Sequence, residues 1–503
     1  MVVPIRLSAA FLAVLILLFA LPSAYARRVV RVRHVAETGA VSPSEFANYA
    51  DSVLGQSDLY GASCSVEIYS LSGDSVVYAK DPDRLLTPAS VTKLLTSSAA
   101  MDRLGPDYRF TTTCYASGPL IGGTLIGNLI LQGGGDPISE IKAADGMGAP
   151  ILRAWADSLI SHGLRRVNGN LVLRTWPCRL ESASPRWEVG DVQGGFAPPL
   201  DGFGFYSNVC HVAVQPGASV GSGASFVIDP PYAPVHIKST VATTAPGTVS
   251  SLSMQVLPED TSVIITGEMP LRHTPEFFWA PVQDPAMYFG RAFKLALEKR
   301  GIQVDGDVVV DRDAHGGGEP GAVLFVHQSV PLTAVMSIMN KESDNYLAEY
   351  VLQALGLEAG GVGDRKAGTE AALNFLRRCG IDRADVVMED GCGLARQNLI
   401  SARSLVQLLR AMHTHAYGDA FKSTLSVSGE DGTLSGRLGR DNVGRLRGKT
   451  GSMTRVSALA GYFAGNNGEI YAIAFMFNNF RISLPRVRAV QDLILERLAG
   501  RVS

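Results

Sequence analysis

Three short motifs occur in one order along this chain of 503 residues, and together they constrain how its two ends must fold. They are Ser90-Val91-Thr92-Lys93, Ser343-Asp344-Asn345 and Lys449-Thr450-Gly451. Each motif alone is too short to be specific, but the three together supply the polar groups of one serine acyl-transfer site. Residues from both ends of the chain must therefore come together in one domain.

The first motif places a serine and a lysine at the start of a predicted helix. Thr87-Pro88-Ala89 is typical of a helix start, and apolar residues follow at helical spacing. Residues three apart share one helix face, so the Lys93 amine can reach the Ser90 hydroxyl. We predict that Ser90 is the nucleophile and Lys93 the base, with the pKa of Lys93 lowered by burial or by a cation such as Lys449. The Ser90 backbone N–H can face a developing oxyanion.

The second motif precedes another helical pattern of apolar residues, which predicts a loop or turn at Ser343. The hydroxyl of Ser343 can relay a proton to the leaving group, and the amide of Asn345 can bind a substrate amide.

The third motif is predicted at the start of a strand, before a hairpin whose second strand runs from Ile470 to Phe477. An exposed strand edge can pair with an extended peptide. Lys449, Thr450 and Gly451 are the predicted substrate contacts, with the substrate carboxylate held by the lysine and threonine. The backbone N–H of Ser452 is the predicted second oxyanion donor.

The composition is that of a globular protein without a bias toward nucleic acid. Hydrophobic residues make up 46% of the chain, and the net charge is −2. The length predicts about two or three domains. The histidines show no metal-binding spacing beyond His413-Thr414-His415, which we interpret as a solvated helix end. Neither a metal nor a cofactor is expected.

The N-terminus has the pattern of an export signal. Arg6 precedes an apolar run from Ala9 to Leu21, and Ala24-Tyr25-Ala26 offers a cleavage site. We predict that residues 1–26 are a cleaved signal peptide and that the protein is periplasmic or secreted, with at most peripheral membrane association. The arginines that start at Arg27 oppose translocation, so an uncleaved N-terminal anchor is the alternative.

Export permits disulfides among the six cysteines, and many pairings are open. Cys178–Cys210 is the favoured pair, because both residues fall in one inserted region.

Strand patterns at both ends of the chain predict one antiparallel sheet flanked by helices, which is an α+β fold. Between them, the pattern of strand, Asp-Pro, helix, Gly-(Leu/Ile), Val-x-Gly and strand occurs twice, from Gly127 and from Ser262. We predict that these copies are two βαβ-like halves of one inserted domain, whose strands would be parallel. A segment with short strand-like runs and little helix separates the two copies. The predicted domains are 40–111 with 312–503 for the catalytic part, 112–174 with 262–311 for the repeat, and 175–261 for a β-rich insertion.

These motifs resemble the class C low-molecular-mass penicillin-binding proteins, which are D-alanyl-D-alanine carboxypeptidases and endopeptidases of peptidase family S13. The resemblance covers nearly the whole mature chain and includes further segments: Gly133-Gly134-Gly135-Asp136-Pro137, Trp187-Glu188-Val189-Gly190-Asp191, Asp390-Gly391-x-Gly393-Leu394-x-Arg396-x-Asn398 and Gly429-x-Asp431-Gly432-Thr433-Leu434. It implies a transpeptidase domain, of the penicillin-binding and serine β-lactamase type, split by nested insertions. It also implies hydrolysis of peptidoglycan stem peptides through an acyl-enzyme, and acylation of Ser90 by β-lactams.

The chain departs from the family pattern at positions that bear on specificity. Cys392 stands where the family usually has serine, and Arg174 stands where an acidic residue commonly follows the strand. By resemblance, that region and Arg396 recognise a diaminopimelate-type side chain. We therefore expect either weaker selection for a zwitterionic terminus or an acidic partner such as Glu181 or Glu188.

Two rival functions fit parts of the sequence. A serine β-lactamase shares the three motifs, and Glu370-Ala371-Ala372-Leu373-Asn374 mimics a deacylating segment of that class. The same residues also fit an ordinary amphipathic helix. A non-catalytic wall-binding scaffold would be indicated by degraded motifs, and none of the three is degraded.

Overall fold

The computed structural model describes residues 43–501 except 57–58, 60, 138–149, 182–183, 185, 194, 258–260, 314–320 and 466–467. The predicted signal peptide, residues 1–26, lies outside the described residues. Among the helices of the described ranges, none has the length and apolar character needed to cross a membrane.

The helices are α1 (Pro43–Gln56), α2 (Thr92–Leu104), α3 (Pro150–Ser161), α4 (Val189–Gln193), α5 (Pro285–Lys299), α6 (Leu332–Lys341), α7 (Asn345–Gly360), α8 (Arg365–Arg378), α9 (Ala402–Thr414), α10 (Gly418–Ser423) and α11 (Leu484–Arg501).

The strands are β1 (Ser63–Ser70), β2 (Ser75–Lys80), β3 (Thr111–Ala116), β4 (Leu120–Ile121), β5 (Thr124–Ile126), β6 (Leu129–Gln132), β7 (Arg166–Asn168), β8 (Leu171–Arg174), β9 (Val209–Gln215), β10 (Ser225–Asp229), β11 (His236–Ser239), β12 (Ala242–Thr244), β13 (Ser253–Val256), β14 (Ser262–Thr266), β15 (Glu268–Pro270), β16 (Glu276–Pro281), β17 (Gln303–Val304), β18 (Val308–Asp311), β19 (Ala322–Gln328), β20 (Val386–Val387), β21 (Leu399–Ile400), β22 (Ser426–Val427), β23 (Leu446–Met453), β24 (Val456–Ala464) and β25 (Ile470–Asn478).

The central sheet joins the two ends of the chain, as the strand patterns predict. Its order is β2-β1-β25-β24-β23-β22, and every neighbouring pair is antiparallel. Alternate residues of β24 pack into two different hydrophobic cores, one on each face of the sheet. Leu459 packs with helices α1 and α11, whereas Ala458 and Ala460 pack with the helices that follow Ser90. Because both faces of the sheet are covered by helices, its central strands are apolar on both sides.

Helix α2 lies in the centre of the second of these cores. Every residue from Thr92 to Met101 is buried, and the helix packs against α7 and α8. Such packing allows little movement of the first turn, so the side chains on that turn have a well-defined position.

The repeated segments pair with each other through parallel strands. Strand β8 lies between β6 and β18, and β7 lies between β5 and β17, so the second copy adds one parallel edge strand to each sheet beside the first copy. Their helices α3 and α5 pack through Trp155, which contacts Phe289 and Phe293. The first strand of the second copy, Ser262–Thr266, behaves differently: it pairs with β11 and β13 instead of joining these sheets.

The β-rich segment contains three small sheets, ordered β10-β9-β16, β11-β14-β13 and β12-β15. Strands β14 and β16 lie beyond residue 261, so we propose that the β-rich insertion extends to about Pro281. All six cysteines fall within the described ranges, and each is a free thiol. The favoured pair Cys178–Cys210 is therefore wrong, because each of these thiols is buried in its own surroundings without the other as partner.

Helix α7, which begins in the second motif, contacts the segments between the first and second motifs through two tyrosines. The Tyr346 hydroxyl donates to the Pro137 carbonyl at 2.8 Å, and the Tyr350 hydroxyl donates to the Phe203 carbonyl at 3.0 Å. Both hydroxyls are buried, so these bonds fix those segments next to the start of α7, where the second motif lies.

Candidate active site

Ser90 lies in a tight turn that two glycines allow to form. It is the middle residue of a 3₁₀ turn, Ala89–Val91, immediately before α2, and Ala89 has a φ of 48°. A Cβ on Gly451 would lie 2.3 Å from the Pro88 carbonyl oxygen, and one on Gly393 would lie 2.0 Å from that of Ala89. The glycine of the third motif is thus required by the close approach of strand β23 to the nucleophile turn.

Lys93 is placed as predicted, one helical turn from Ser90. Its Nζ lies 3.2 Å from Ser90 Oγ, 2.7 Å from Asn345 Oδ1 and 2.7 Å from the Cys392 carbonyl oxygen. The side chain is fully buried, and this burial lowers the pKa of Lys93 below the ordinary lysine value, although nearby acidic groups oppose the shift. A buried amine next to a serine hydroxyl can accept its proton.

The loop that carries Cys392 is folded around the carboxylate of Asp390. That carboxylate accepts from the backbone N–H groups of Gly393 and Ala395 at 2.7 Å each, and from Trp187 Nε1 at 2.7 Å. The loop presents the Cys392 carbonyl to Lys93, whereas the Cys392 side chain is buried. The serine-to-cysteine departure therefore leaves the contact to the lysine unchanged, since the contact comes from the backbone.

Glu349 holds the same loop from the other side. Its Oε1 accepts from the N–H groups of Gly391 at 2.7 Å and Cys392 at 2.8 Å, and its Oε2 lies 3.1 Å from Arg365 Nε. Glu349 follows Asn345 by one helical turn on α7, so the helix that carries the second motif also supports the base through Cys392.

The second motif forms a strained turn that ends in a helix cap. Ser343 has a φ of 61°, and the carboxylate of Asp344 caps α7 by accepting from the Leu347 N–H at 2.8 Å. Asn345 contacts Lys93 through its oxygen and donates through Nδ2 to the Phe196 carbonyl at 3.2 Å. The turn thereby directs Ser343 and Asn345 toward two different lysines.

Lys449 contacts Ser343 from the facing strand. Its Nζ lies 2.9 Å from Ser343 Oγ and 2.9 Å from the Thr450 carbonyl oxygen. Burial, with repulsion from Lys93 as a second cause, places the pKa of Lys449 well below that of an ordinary lysine. For Lys93 itself, burial is the main cause of the lowered pKa.

The third motif lies in the middle of β23 and not at its start, because the strand already begins at Leu446. Thr450 Oγ1 donates to Thr433 Oγ1 at 2.8 Å, which orients the hydroxyl beside Lys449. Ser452, two residues further, is exposed. Strand β22 pairs with β23 only at Arg447 and Gly448, so the edge of β23 beyond Gly448 has no neighbouring strand in the described part of the chain. That part of the strand carries the Lys449 amine and the Thr450 hydroxyl.

Arg396 and Arg174 have different surroundings. Arg396 pairs with Glu188 through its Nε and donates to the Thr454 carbonyl at 3.4 Å, so it lies beside the end of β23. Arg174 Nε lies 3.3 Å from Asp311 on the neighbouring strand of the insertion. Of the two acidic candidates, Glu188 stands next to Arg396, whereas Glu181 pairs with Arg365.

One group of side chains has the atom types of a metal site. The ligand atoms of Glu349, Asp390 and Cys392 lie within 4.8 Å of one another. Both carboxylates, however, already accept from backbone N–H groups, and Glu349 also pairs with Arg365. Their oxygen lone pairs are occupied by hydrogen bonds that hold the loop in place, so these residues do not fit a metal.

The β-lactamase-like segment does not reach the nucleophile. Glu370 is exposed on α8, and its carboxylate pairs with the guanidinium of Arg383. The deacylating role that its sequence mimics has no structural counterpart at this position, and the amphipathic-helix interpretation is confirmed.

Several functional contacts involve residues that motif reasoning did not assign. They are the Cys392 and Phe196 carbonyls, Glu349 and Thr433. Cys392 and Thr433 lie inside segments that carry the family resemblance, so a signal existed for them. Glu349 lies in an apolar helix, and nothing in its local sequence distinguishes it.

Comparison with known proteins agrees with this geometry. The sequence model of the D-Ala-D-Ala carboxypeptidase 3 (S13) family matches residues 47–499. The chain is 30% identical to the D-alanyl-D-alanine carboxypeptidase of Actinomadura sp. (strain R39), over 92% of this chain and 86% of that protein. It is 24% identical to the D-alanyl-D-alanine carboxypeptidase DacB of Haemophilus influenzae, over 86% of this chain and 89% of that protein.

A solved structure has the same architecture. Penicillin-binding protein 4 from Haemophilus influenzae superimposes with a TM-score of 0.77 at 23% identity, covering 89% of this chain and 98% of that chain. This likeness confirms the predicted fold, an α+β transpeptidase-type domain with nested insertions. With a family match that extends over most of its length, the chain belongs to the D-Ala-D-Ala carboxypeptidase 3 (S13) family.

Proposed function

We propose that this protein hydrolyses the terminal D-alanyl-D-alanine bond of peptidoglycan stem peptides through an acyl-enzyme on Ser90. The observation that carries the proposal is the fully buried Lys93 amine, 3.2 Å from Ser90 Oγ, whose pKa is lowered by burial. Burial favours the neutral form of this amine, which can accept the Ser90 proton, whereas an exposed lysine stays protonated near neutral pH.

In the acylation step, Ser90 Oγ attacks the carbonyl carbon and its proton passes to Lys93. We assign the tetrahedral oxyanion to the backbone N–H groups of Ser90 and Ser452, because Gly451, the residue before Ser452, packs against the nucleophile turn. A proton then reaches the leaving amine through Ser343, whose hydroxyl contacts Lys449. The C–N bond breaks, D-alanine leaves, and water later hydrolyses the ester.

We assign substrate contacts to two groups of the peptide, its terminal carboxylate and a backbone amide. Lys449 and Thr450 bind the terminal carboxylate, since the cation and the Thr450 hydroxyl lie on the same strand edge. Asn345 binds the backbone amide of the penultimate residue. Amide bonds between stem peptides present the same acyl group, so DD-endopeptidase activity follows from the same site.

Two neighbouring side chains of opposite charge can pair with a zwitterionic side-chain terminus on the stem peptide. Arg396 offers a guanidinium to its carboxylate, and Glu188 beside it offers a carboxylate to its ammonium. Arg174 is paired with Asp311, so its charge is compensated and repels a ligand less than a free arginine would. We therefore assign selectivity to Arg396 and Glu188.

Peptidoglycan lies outside the cytoplasmic membrane, so this function requires an exported protein, in agreement with the export pattern of residues 1–26. Periplasmic or secreted localisation is thus part of the proposal. β-Lactams resemble the acyl-D-Ala-D-Ala group and should acylate Ser90.

A fluorescent penicillin tests the proposal. Wild-type protein should carry a persistent covalent label, and Ser90→Ala should carry none. Ser98→Ala is the matched control, because Ser98 is buried on the same helix and its hydroxyl makes no hydrogen bond in the described structure. Label on intact Ser90→Ala protein would contradict the assignment of the nucleophile. Rapid loss of label from wild type would favour a β-lactamase, and no labelling at all would favour a scaffold.

Stem peptides with and without a zwitterionic terminus test the selectivity. Wild type should prefer the zwitterionic peptide, and Arg396→Gln should lose about tenfold in kcat/KM on that peptide alone. Arg174→Gln should change the ratio by less than about twofold. A larger effect of Arg174→Gln than of Arg396→Gln would show that Arg174 is the substrate ligand.

A further inference from the structure

The outer face of the β10-β9-β16 sheet carries exposed aromatic side chains. Val227, Ala213 and Phe277 form one row of directly paired residues across the three strands, and Asp229, His211 and Trp279 form the next. Paired residues point to the same side of a sheet. The intervening residues of β9, which include Val212 and Val214, are fully buried, so these two rows face outward. We call them the aromatic face.

The rings of the aromatic face are accessible and held in place. Phe277 is 59% exposed and Trp279 is 53% exposed, while the His211 ring packs against the indole with a centroid distance of 3.8 Å at 67°. Burial lowers the pKa of His211, which favours the neutral ring. Exposed apolar patches of this kind mark binding surfaces on soluble proteins.

A short segment connects the aromatic face to the active site. A Cβ on Gly195 would lie 3.2 Å from Trp279 Cβ, and the next residue, Phe196, accepts from Asn345 through its carbonyl. The Phe196 ring is 62% exposed, so apolar surface continues from Trp279 toward the cleft. Asn345 in turn contacts Lys93, which contacts Ser90.

The charge of the face limits what it can bind. Its two rows contain one acidic residue, Asp229, and no lysine or arginine, while the row beyond Val227 consists of Ser225 and Gln215. Such a surface does not attract anionic lipids or nucleic acid. Flat aromatic rings with neutral polar neighbours suit a neutral ligand that has both apolar C–H faces and hydroxyl or amide groups, as a sugar ring has.

We propose that the aromatic face binds the glycan strand to which the stem peptide is attached, with neutral amino-sugar rings lying on Trp279 and Phe277. This inference rests on the proposed function, since it needs a substrate that carries both peptide and glycan. An extended peptide spans about 3.3–3.6 Å per residue, so a stem of a few residues bridges the short chain of contacts from Trp279 to Ser90.

Kinetics with matched substrates test the proposal. Wild type should hydrolyse a stem peptide attached to a tetrasaccharide of alternating amino sugars with about five- to tenfold higher kcat/KM than the free peptide. Trp279→Ala and Phe277→Ala should each remove most of this advantage and leave the free peptide and penicillin acylation unchanged within about twofold. Tyr417→Ala is the control, because it removes another exposed ring, 40% accessible, from the catalytic domain.

Binding without turnover supplies the second measurement. Ser90→Ala protein should bind an uncrosslinked amino-sugar oligomer that carries no peptide, and Trp279→Ala in that background should weaken the binding by at least about fivefold. An equal kcat/KM for the two substrates in wild type would overturn the proposal. So would a concentration-dependent dimer that Trp279→Ala abolishes, or binding to anionic vesicles that it abolishes. Failure of penicillin to label Ser90 would instead refute the proposed function.

Discussion

The amine of Lys93 lies 2.7 Å from the backbone carbonyl oxygen of Cys392, closer than its 3.2 Å distance to the hydroxyl of Ser90. The carbonyl and Asn345 Oδ1 can accept the two N–H groups of the neutral amine, which leaves its lone pair for the proton of Ser90. The position of the base is therefore set by a loop, and Glu349 anchors that loop through two backbone N–H groups.

Glu349→Gln should slow acylation of Ser90 by penicillin about tenfold or more. The neutral glutamine amide accepts the Gly391 and Cys392 N–H groups less strongly than a carboxylate does, and it loses the ion pair with Arg365. Loss of the carboxylate also removes a Coulomb interaction that raises the pKa of Lys93, so the acid limb of the pH–rate profile should move to lower pH. Stopped-flow acylation rates measured across pH test both effects.

Glu67→Gln is the matched control for Glu349, since Glu67 is a buried glutamate of the central sheet that also faces an arginine, 3.8 Å from Arg403. It should leave the acylation rate and its pH profile unchanged. Equal kinetic losses in the two variants would mean that Glu349 acts through general stability and does not position the base.

Exchange of each lysine for arginine should separate their roles. Lys93→Arg should abolish acylation, because a guanidinium stays protonated and cannot serve as a base. Lys449→Arg should retain part of the activity, since the positive charge beside Ser343 and the substrate carboxylate is kept. Penicillin labelling and D-alanine release both report the outcome, and near-normal acylation by Lys93→Arg would require a different proton acceptor.

Gly451→Ala should destabilise the fold by about 2 kcal/mol or more and slow acylation, because the new methyl group would meet the Pro88 backbone. Gly55→Ala is the control. A Cβ on Gly55 would meet no atom within 4 Å in helix α1, so this variant should gain roughly 0.5–1 kcal/mol. Urea unfolding gives both values, and wild-type stability in Gly451→Ala would mean that the strand and the turn are less tightly packed.

Lys449→Met should raise thermal stability most at low pH. The folded-state pKa of Lys449 lies well below the unfolded value of 10.5, so between the two values the unfolded chain binds the extra proton. Wild-type stability therefore rises with pH through this window, and a methionine removes that rise. The difference in Tm between Lys449→Met and wild type should shrink from pH 6 to pH 9.

The exposed Lys366→Met should show a difference in Tm that does not change with pH. A flat difference for Lys449→Met as well would contradict a lowered pKa in the folded protein.

The sequence predicted the elements that depend on local patterns. The Ser90 helix, the antiparallel sheet from both chain ends and the parallel pairing of the repeat follow from periodicity and internal similarity, and the structure confirms them. The approach of Lys93 to Ser90 also follows from local geometry, because residues three apart on a helix share a face.

Other features depend on segments that are distant in sequence. The strand Ser262–Thr266 matches the repeat in sequence but pairs with β11 and β13, because the available strand edges decide pairing. The favoured Cys178–Cys210 bridge is absent for a similar reason, since the fold does not bring the two thiols together.

The chemistry of the site divides in the same way. The sequence alone determined which side chains can act as nucleophile, base and clamp, because those roles follow from residue type and spacing in three motifs. Only the tertiary structure decided that Lys93 is fully buried, that the Cys392 carbonyl and Glu349 hold it, and that Glu188 stands beside Arg396. Burial and backbone contacts between distant loops have no local sequence pattern, so packing of the whole chain sets the pKa and position of each group.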